Sequence, residues 1–449
     1  MDRTLLERNT RLYRWHQTVA GALFWMPTTV LFLTEQLGLR TALAVQAAYY
    51  VAVVLVEVPS GWLSDRLGRV TAMRIVAVSW LAAHTLFILA PGPTVLVAAQ
   101  ILLATGYAFL SGTDVTFHYD TLEALDRAEE FEEREAGARQ RLLVVTAATA
   151  LAGGALGLAD LRLPFVASIL ATGVQLAITM LLVEPGGRSG SPEPEPALGG
   201  VRPFARYLAT PALAWLGCYV VGQVIVVHLI ADLSGPYLAD ALDSPLSDPG
   251  DAALTTGAAA AAAAILGSLA VGRVPAVKRR IGTVWTLLVA AVIPTLVLGT
   301  MALVTAIWVV PLLALRGTQS AAAAVIAPAM VGAQVRREHR ATFLSMMSLG
   351  GRLGFGAILL TLGLADASLE TAVTVGASVA LGLLAVTASM QRVAVDATEL
   401  GDLPIPHRRH LHFHVHWGAH GHSHGDEGPR WLPHRHDHDH LAGASHDHD

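Results

Sequence analysis

Lysine is almost absent from this chain. Lys278 is the single example among 449 residues, and Arg279 follows it. A Gly-x-x-x-x-Gly-Lys-Ser/Thr loop needs a hydroxyl residue at that next position, so the chain has no phosphate-gripping ATPase loop of its own. Cysteine is as scarce. Cys218 stands alone inside an apolar run, which excludes an internal disulfide framework and argues against a thiolate metal site. Charge is thin, with Asp, Glu, Lys and Arg making 14% of the residues against about 25% in soluble proteins. No nucleophile elbow, no His-Glu-x-x-His and no paired catalytic carboxylates occur, so nothing supports an enzyme. The net charge of −5 gives no reason to expect a nucleic-acid partner.

What is present is apolar. Hydrophobic residues make up 53% of the chain and the mean hydropathy is +0.51, the composition of a multi-pass membrane protein in a lipid bilayer. A spanning helix takes about 20 mostly apolar residues. Twelve such runs lie at about 15–36, 41–63, 71–90, 94–118, 141–160, 164–183, 208–231, 252–272, 282–304, 307–331, 342–364 and 369–390. The break near Thr305 is the least marked. The first run follows Arg3, Arg8, Arg11 and Arg14 and is too long for the apolar core of a cleaved leader. With the N-terminus cytoplasmic, Arg66, Arg69, Arg74, Arg127, Arg134, Arg273, Lys278, Arg279, Arg336 and Arg340 all fall in inner loops, whereas only Arg40 and Arg162 fall outside. That asymmetry obeys the positive-inside rule and puts both termini in the cytoplasm. The run Pro192-Glu193-Pro194-Glu195-Pro196 predicts an extended linker. The expected organisation is a bundle over 1–183, a linker over 184–207, a second bundle over 208–390 and a tail over 391–449. Asp232, Asp240, Asp243, Asp248 and Asp251 follow the seventh run without a basic residue. They read as a solvated outer loop or, more sharply, as a funnel for cations.

Between the second and third runs stands Gly61-Trp62-Leu63-Ser64-Asp65-Arg66-Leu67-Gly68-Arg69, a short charged loop with two glycines for a tight turn. A worn copy, Gly272-Arg273 through Lys278-Arg279-Arg280-Ile281-Gly282, sits between the eighth and ninth runs. The first stretch resembles motif A of the major facilitator superfamily, secondary transporters built from two six-helix halves. The resemblance implies an all-α membrane protein with twelve transmembrane helices in two pseudo-symmetric bundles. These pack about a midplane site and work as a monomer by alternating access. It implies that Asp65 docks on the N-terminal end of the helix starting near Ala341, where a carboxylate gains about 0.3–1 kcal/mol. Arg66 and Arg69 would bond neighbouring acids, Gly61 and Gly68 would shape the turn, and the whole would latch the cytoplasmic side. Val70 stands where the family often has a further basic residue. A loop that only sets topology is the alternative. Ser111-Gly112 with Tyr119-Asp120-Thr121-Leu122, Leu315-Arg316-Gly317, and Arg340-Ala341-Thr342-Phe343-Leu344-Ser345 with Arg352-Leu353 resemble patterns in a group of bacterial facilitators. Motifs of the proton-driven drug exporters are weak: Leu102 replaces their helix-four arginine, and Gly153-Gly154-Ala155-Leu156-Gly157 lacks their proline.

Ionisable groups inside a span are functional candidates. Glu57, on the inner part of the second run, is the expected proton carrier. Asp114 and His118 share a helix face at i, i+4 and are placed to meet the motif-A arginines. With Asp120 they read as gate ion pairs or proton-coupling groups, His118 being able to sense pH. Arg352 lies about 15 Å into its helix at 1.5 Å per residue, and Arg316 is nearly as deep. An unpaired arginine there costs about 2.5–3.5 kcal/mol or more. Each must line the cavity and find an acid, a carbonyl or an anionic ligand, and structural bonding and substrate binding both stay open. No cluster of acids or histidines is evident at that depth. His84, His228, Trp25, Trp215, Gln175 and Gln223 read as packed residues rather than ligand contacts.

Residues 405–449 differ from all that precedes, holding 14 of the 19 histidines. His410, His412, His414 and His416 alternate with apolar residues, which in an extended strand puts the imidazoles on one face. His420, His422 and His424 follow, then His434, His436, His438 and His440. Imidazoles suit Zn, Ni, Co or Cu, so the tail is expected to bind such a metal, although no cofactor is required. A polar tail without a duty is the alternative. Two midplane arginines argue against a bare divalent cation in the pore. The expectation is a secondary transporter in a bacterial inner (plasma) membrane, exporting a small organic, anionic or amphiphilic solute at the expense of the proton gradient. Two rivals stand: a divalent-metal or metal-chelate transporter regulated by the tail, and a membrane metal sensor that transports nothing.

Overall fold

Lipid offers no hydrogen bonds, so a segment that crosses it must satisfy its own backbone, and a helix does so residue by residue. The structure, a computed structural model, describes residues 3–89, 92–185, 201–243, 249–336 and 339–392. The first half holds α1 (Arg3–Ala20), α2 (Thr29–Leu67), α3 (Arg69–Leu89), α4 (Pro93–Leu110), α5 (Thr113–Glu123), α6 (Phe131–Gly157) and α7 (Leu163–Leu181). The second holds α8 (Val201–Leu208), α9 (Pro211–Ala241), α10 (Gly250–Val271), α11 (Val274–Ile281), α12 (Thr283–Leu303), α13 (Val310–Gln334), α14 (Arg340–Leu364) and α15 (Leu369–Ser389). Proline opens α4, α7, α9 and α13 in the first turn, where its missing N–H costs nothing. Among the described residues, 11 helices are long and apolar enough to span a bilayer. The expected first span is the twelfth pass, and it is broken.

That break is the first of several departures from the sequence expectation. The run 15–36 is not one helix. α1 stops at Ala20, residues 21–25 run irregularly, and α2 begins at Thr29 only to kink at Gly38, where φ is 74°. Threonines of α6 replace the lost helical bonds. Thr146 and Thr149 donate to the Gly21 carbonyl at 3.1 and 3.2 Å, and Leu23 N–H donates to Thr149 Oγ1 at 3.2 Å. The fourth run divides too, with Gly112 at φ 77° between α4 and α5. α9 does not stop at Ala231 but continues to Ala241, so Asp232 and Asp240 belong to a helix and not to a solvated loop. The stretch 61–67 is helical rather than a loop. The end of the expected linker, 201–207, falls within helix α8.

The turn between α2 and α3 is a single residue. Gly68 has φ 90° and its N–H returns to the Ser64 carbonyl at 3.2 Å. Gly282, between α11 and α12, has φ 81° and returns to the Lys278 carbonyl at 2.8 Å. The same positive-φ stop thus recurs at the corresponding place in each half. Glu184, just past α7, accepts from the N–H groups of Arg69 and Val70 at 2.7 and 2.9 Å. It caps the exposed donors of α3, and a methyl at Gly68 would meet its carboxylate at 2.9 Å.

The two halves meet where side chains are smallest. α6 packs on α10, and α2 packs on α14. Ala150 and Gly154 face Ala253 and Gly257, a small-x-x-x-small pattern on both helices that lets backbones approach. A methyl on Gly257 would meet the Ala150 carbonyl oxygen at 2.5 Å, and one on Gly250 the Leu158 carbonyl oxygen at 2.5 Å. At the far end of α14, a methyl on Gly363 would meet the Arg40 carbonyl oxygen at 2.9 Å and Ala44 Cβ at 3.2 Å. These contacts seal the face opposite the arginine-rich turns. Gly257→Val is expected to cost about 1–3 kcal/mol through overpacking, read as a lower thermal midpoint of the detergent-purified protein. An unchanged midpoint would show that α6 and α10 do not touch here.

Candidate functional site

A cavity of about 520 Å³ lies between the bundles, within the range of pockets that hold a small organic molecule. The first half supplies mainly uncharged groups: Trp25 beside the break in the first pass, Gln46, Tyr49 and Tyr50 of α2, and Gln100 and Tyr107 of α4. The second half supplies His228 and Asp232 of α9, Arg316 of α13 and Arg352 of α14. Towards the arginine-rich turns the lining continues through Gln17, Asp114 and Arg139.

Glu57 and Arg352, expected as a proton carrier and a deep cavity arginine, are brought together across the bundle interface. Arg352 Nη1 donates to Glu57 Oε2 at 3.3 Å, with the two side chains 15% and 12% exposed. Ser345 Oγ donates to the other carboxylate oxygen at 3.1 Å and Ser111 Oγ at 3.4 Å. Arg352 Nη2 donates to the Tyr107 hydroxyl, and the guanidinium carbon sits 4.6 Å from that ring's centre. The acid that the deep arginine required is therefore Glu57, supplied from the opposite bundle. Sequence reasoning treated the two separately because they stand 295 positions apart.

Asp232 is the acid that the sequence reading missed. It is 9% exposed, and its Oδ2 accepts from Gln46 Nε2 at 3.0 Å and from the Tyr50 hydroxyl at 3.3 Å. Gln100 Nε2 donates in turn to Gln46 Oε1 at 2.6 Å, fixing which end of the Gln46 amide faces the acid. All of these donors are neutral. His228 stands one turn before Asp232; its Nδ1 donates to the Val224 carbonyl at 2.7 Å, and it lines the cavity rather than only packing. Asp232 and His228 add an acid and a histidine to this lining, but among the described residues no acids and histidines gather into a cluster that could hold a metal ion. The apolar run after Asp232, Leu233-Ser234-Gly235-Pro236-Tyr237-Leu238-Ala239, was the signal that the helix goes on. Arg316 lines the same cavity, and its buried Nη1 has no hydrogen-bond partner among the described residues.

The remaining candidates form a second network near the arginine-rich face. Asp114 accepts from Gln17 Nε2 at 2.5 Å and from the N–H of Val115 at 2.8 Å, and so meets α1 rather than the motif-A arginines. Gln17 also donates to the Tyr13 hydroxyl at 2.8 Å, and that hydroxyl donates to Glu135 Oε2 at 3.0 Å. His118 Nδ1 lies 2.9 Å from the same Glu135 oxygen, with Tyr13 stacked on its ring at 4.1 Å. Asp120 has a partner as well. Arg66 covers the Trp62 ring at 3.9 Å, and Gly61 is helical and exposed. The Asp65 side chain and the tail histidines from His407 onward lie outside the described residues.

No family model matches the chain, and no curated protein matches it in sequence. Solved structures do match in fold. A point mutant of the nucleoside transporter NupG superposes with a TM-score of 0.70 at 14% identity, over 86% of this chain and 99% of that one. A point mutant of the peptide transporter POT gives 0.68 at 13% identity, over 87% and 94%. A D-xylose–proton symporter gives 0.62 at 13% identity, over 84% and 97%. The chain has the fold of the major facilitator transporters, as its motif-A stretch implied.

The Glu57–Arg352 pair makes a direct prediction. Glu57→Gln leaves Arg352 half-buried without its counter-charge, at an expected cost of about 3–5 kcal/mol. Adding Arg352→Gln is expected to recover part of that loss in a double-mutant cycle on thermal midpoints. Strictly additive losses would show that the pair carries no coupling.

Proposed function

We propose that this protein is a secondary transporter that moves a small organic solute through the central cavity by alternating access, with the proton as coupling ion. One observation carries this reading: every charged group deep in the cavity either bridges the two bundles or faces the space between them. Such contacts are the ones that would be exchanged if the bundles rocked. Glu57 is better suited to hold the bundles together than to carry a proton, because Arg352 of the opposite bundle and two serine hydroxyls already engage its carboxylate oxygens. Asp232, hydrogen-bonded by amide and phenol donors and meeting the Arg316 charge only at longer range, is the better carrier. The arginine-rich face is the cytoplasmic one in this reading, so the closed face looks outward.

A disulfide lock tests the alternation without knowledge of the substrate. Ala44 and Gly363 are close enough for a bridge. The Ala44→Cys/Gly363→Cys pair would be placed in a Cys218→Ser background, with Tyr49→Cys as a cavity reporter for a membrane-impermeant maleimide. Reduced protein is expected to label from both faces. Oxidised protein should lose labelling from the closed face at least tenfold and keep it from the arginine-rich face. Labelling restricted to one face even after reduction would reject alternating access.

A further inference from the structure

Arg316 presents an unsolved charge problem. A guanidinium carries five N–H donors and never loses its proton in proteins. Here it lines a cavity deep within the bundle, and its Nη1 is buried without an acceptor. The obvious local acid does not close the gap. Asp232 interacts with Arg316 electrostatically, but its bonded oxygen is engaged by Gln46 and Tyr50 from the other bundle. Arg352 is already spoken for by Glu57 and Tyr107. The remaining groups around Asp232 do not change the balance. His228 spends Nδ1 on its own helix, and α10 offers the cavity only the Thr256 hydroxyl and Ala260. α12 and α15 place no residue on the lining.

We infer that Arg316 and Asp232 form a linked anion–proton site, in which an organic anion docks on the Arg316 guanidinium and its arrival loads a proton onto Asp232. The charge count gives the sign. In the empty cavity, Glu57 cancels Arg352 and ionised Asp232 cancels Arg316 at longer range. A monoanion on Arg316 leaves one uncompensated negative charge in a poorly screened space, and taking a proton from water onto the Asp232 carboxylate removes it. Linkage is reciprocal, so the proton must strengthen anion binding by the same factor. Anion and proton then cross together as a neutral complex, and an inward proton gradient draws the anion in. This coupling runs against the export expected from the family resemblance. The aromatic part of the same lining, with Trp25, Tyr49 and Tyr107, suits a substrate that carries a flat ring, and the planar guanidinium suits a bidentate carboxylate or sulfonate. The inference rests on the transporter reading and names the substrate class of its cavity.

The test uses the purified full chain in detergent, with benzoate, phenylacetate and benzenesulfonate as probes and benzamide as the uncharged control. Binding is followed calorimetrically, and proton exchange with a pH indicator in weakly buffered solution near pH 7. At least one anion is expected to bind and to take up close to one proton per anion; benzenesulfonate cannot accept that proton itself. Benzamide should take up none. Arg316→Gln should weaken the anion at least tenfold, with Arg316→Lys between the two. Asp232→Asn should still bind but lose both the proton uptake and the tightening of binding at lower pH. Failure of all three anions to bind would overturn the inference. So would Arg316→Gln binding within threefold of the parent, or uptake that survives Asp232→Asn. None of these outcomes touches the disulfide-lock result, which involves no ligand.

Discussion

Charge in the middle of a membrane protein has to be answered on the spot, because the surrounding lipid neither solvates nor screens it. In this chain the hydrogen bonds that answer Asp232 and Arg352 come from the opposite bundle. Helix α2 offers Gln46, Tyr50 and Glu57, spaced four and seven residues apart and therefore on one helix face. That single face meets Asp232 of α9 and Arg352 of α14. The first half so contributes amides, phenols and one carboxylate, and the second contributes most of the charge. Sliding α2 along its partners would exchange these bonds together, which makes its polar strip the place where cavity chemistry and bundle position are joined.

The fold was largely legible because lipid imposes a simple rule. Long apolar runs flanked by arginine mark helices, and the order of the runs is reproduced, including the break after Leu303. The failures share a cause: hydropathy reports how apolar a stretch is, not whether its backbone is helical. Gly21-Ala22-Leu23-Phe24-Trp25 is as apolar as any span, yet it is unwound, since α6 supplies threonine hydroxyls in place of helical partners. Asp232 fails in the other direction. A carboxylate looks like the end of a membrane segment, but α9 runs on for nine further residues to Ala241.

The site was legible in part. Depth alone singled out Arg316 and Arg352 and required each to find an acceptor, and Glu57 stood out as an acid within a span. The pairing of Glu57 with Arg352 was not legible, because it depends on how two distant helices meet. Glu184 is similar. Nothing near it in sequence suggests a cap, but the single-residue turn at Gly68 leaves the first N–H groups of α3 open, and the end of α7 happens to reach them. The repeat of that turn at Gly282 was visible as a worn motif, and its backbone takes nearly the same positive φ as Gly68 although the side chains around it differ.

The interruption in the first pass has a mechanical meaning. A continuous helix transmits torque along its length. α1 and the opening turns of α2 are instead two short rods joined by a strap that α6 holds by hydroxyl and carbonyl contacts. Gln17, on the lower rod, can therefore pivot with Asp114 and Tyr13 while the upper rod stays clamped at the sealed face. If the bundles do alternate, such a strap would let the two ends of this pass yield separately, one bending while the other keeps its shape.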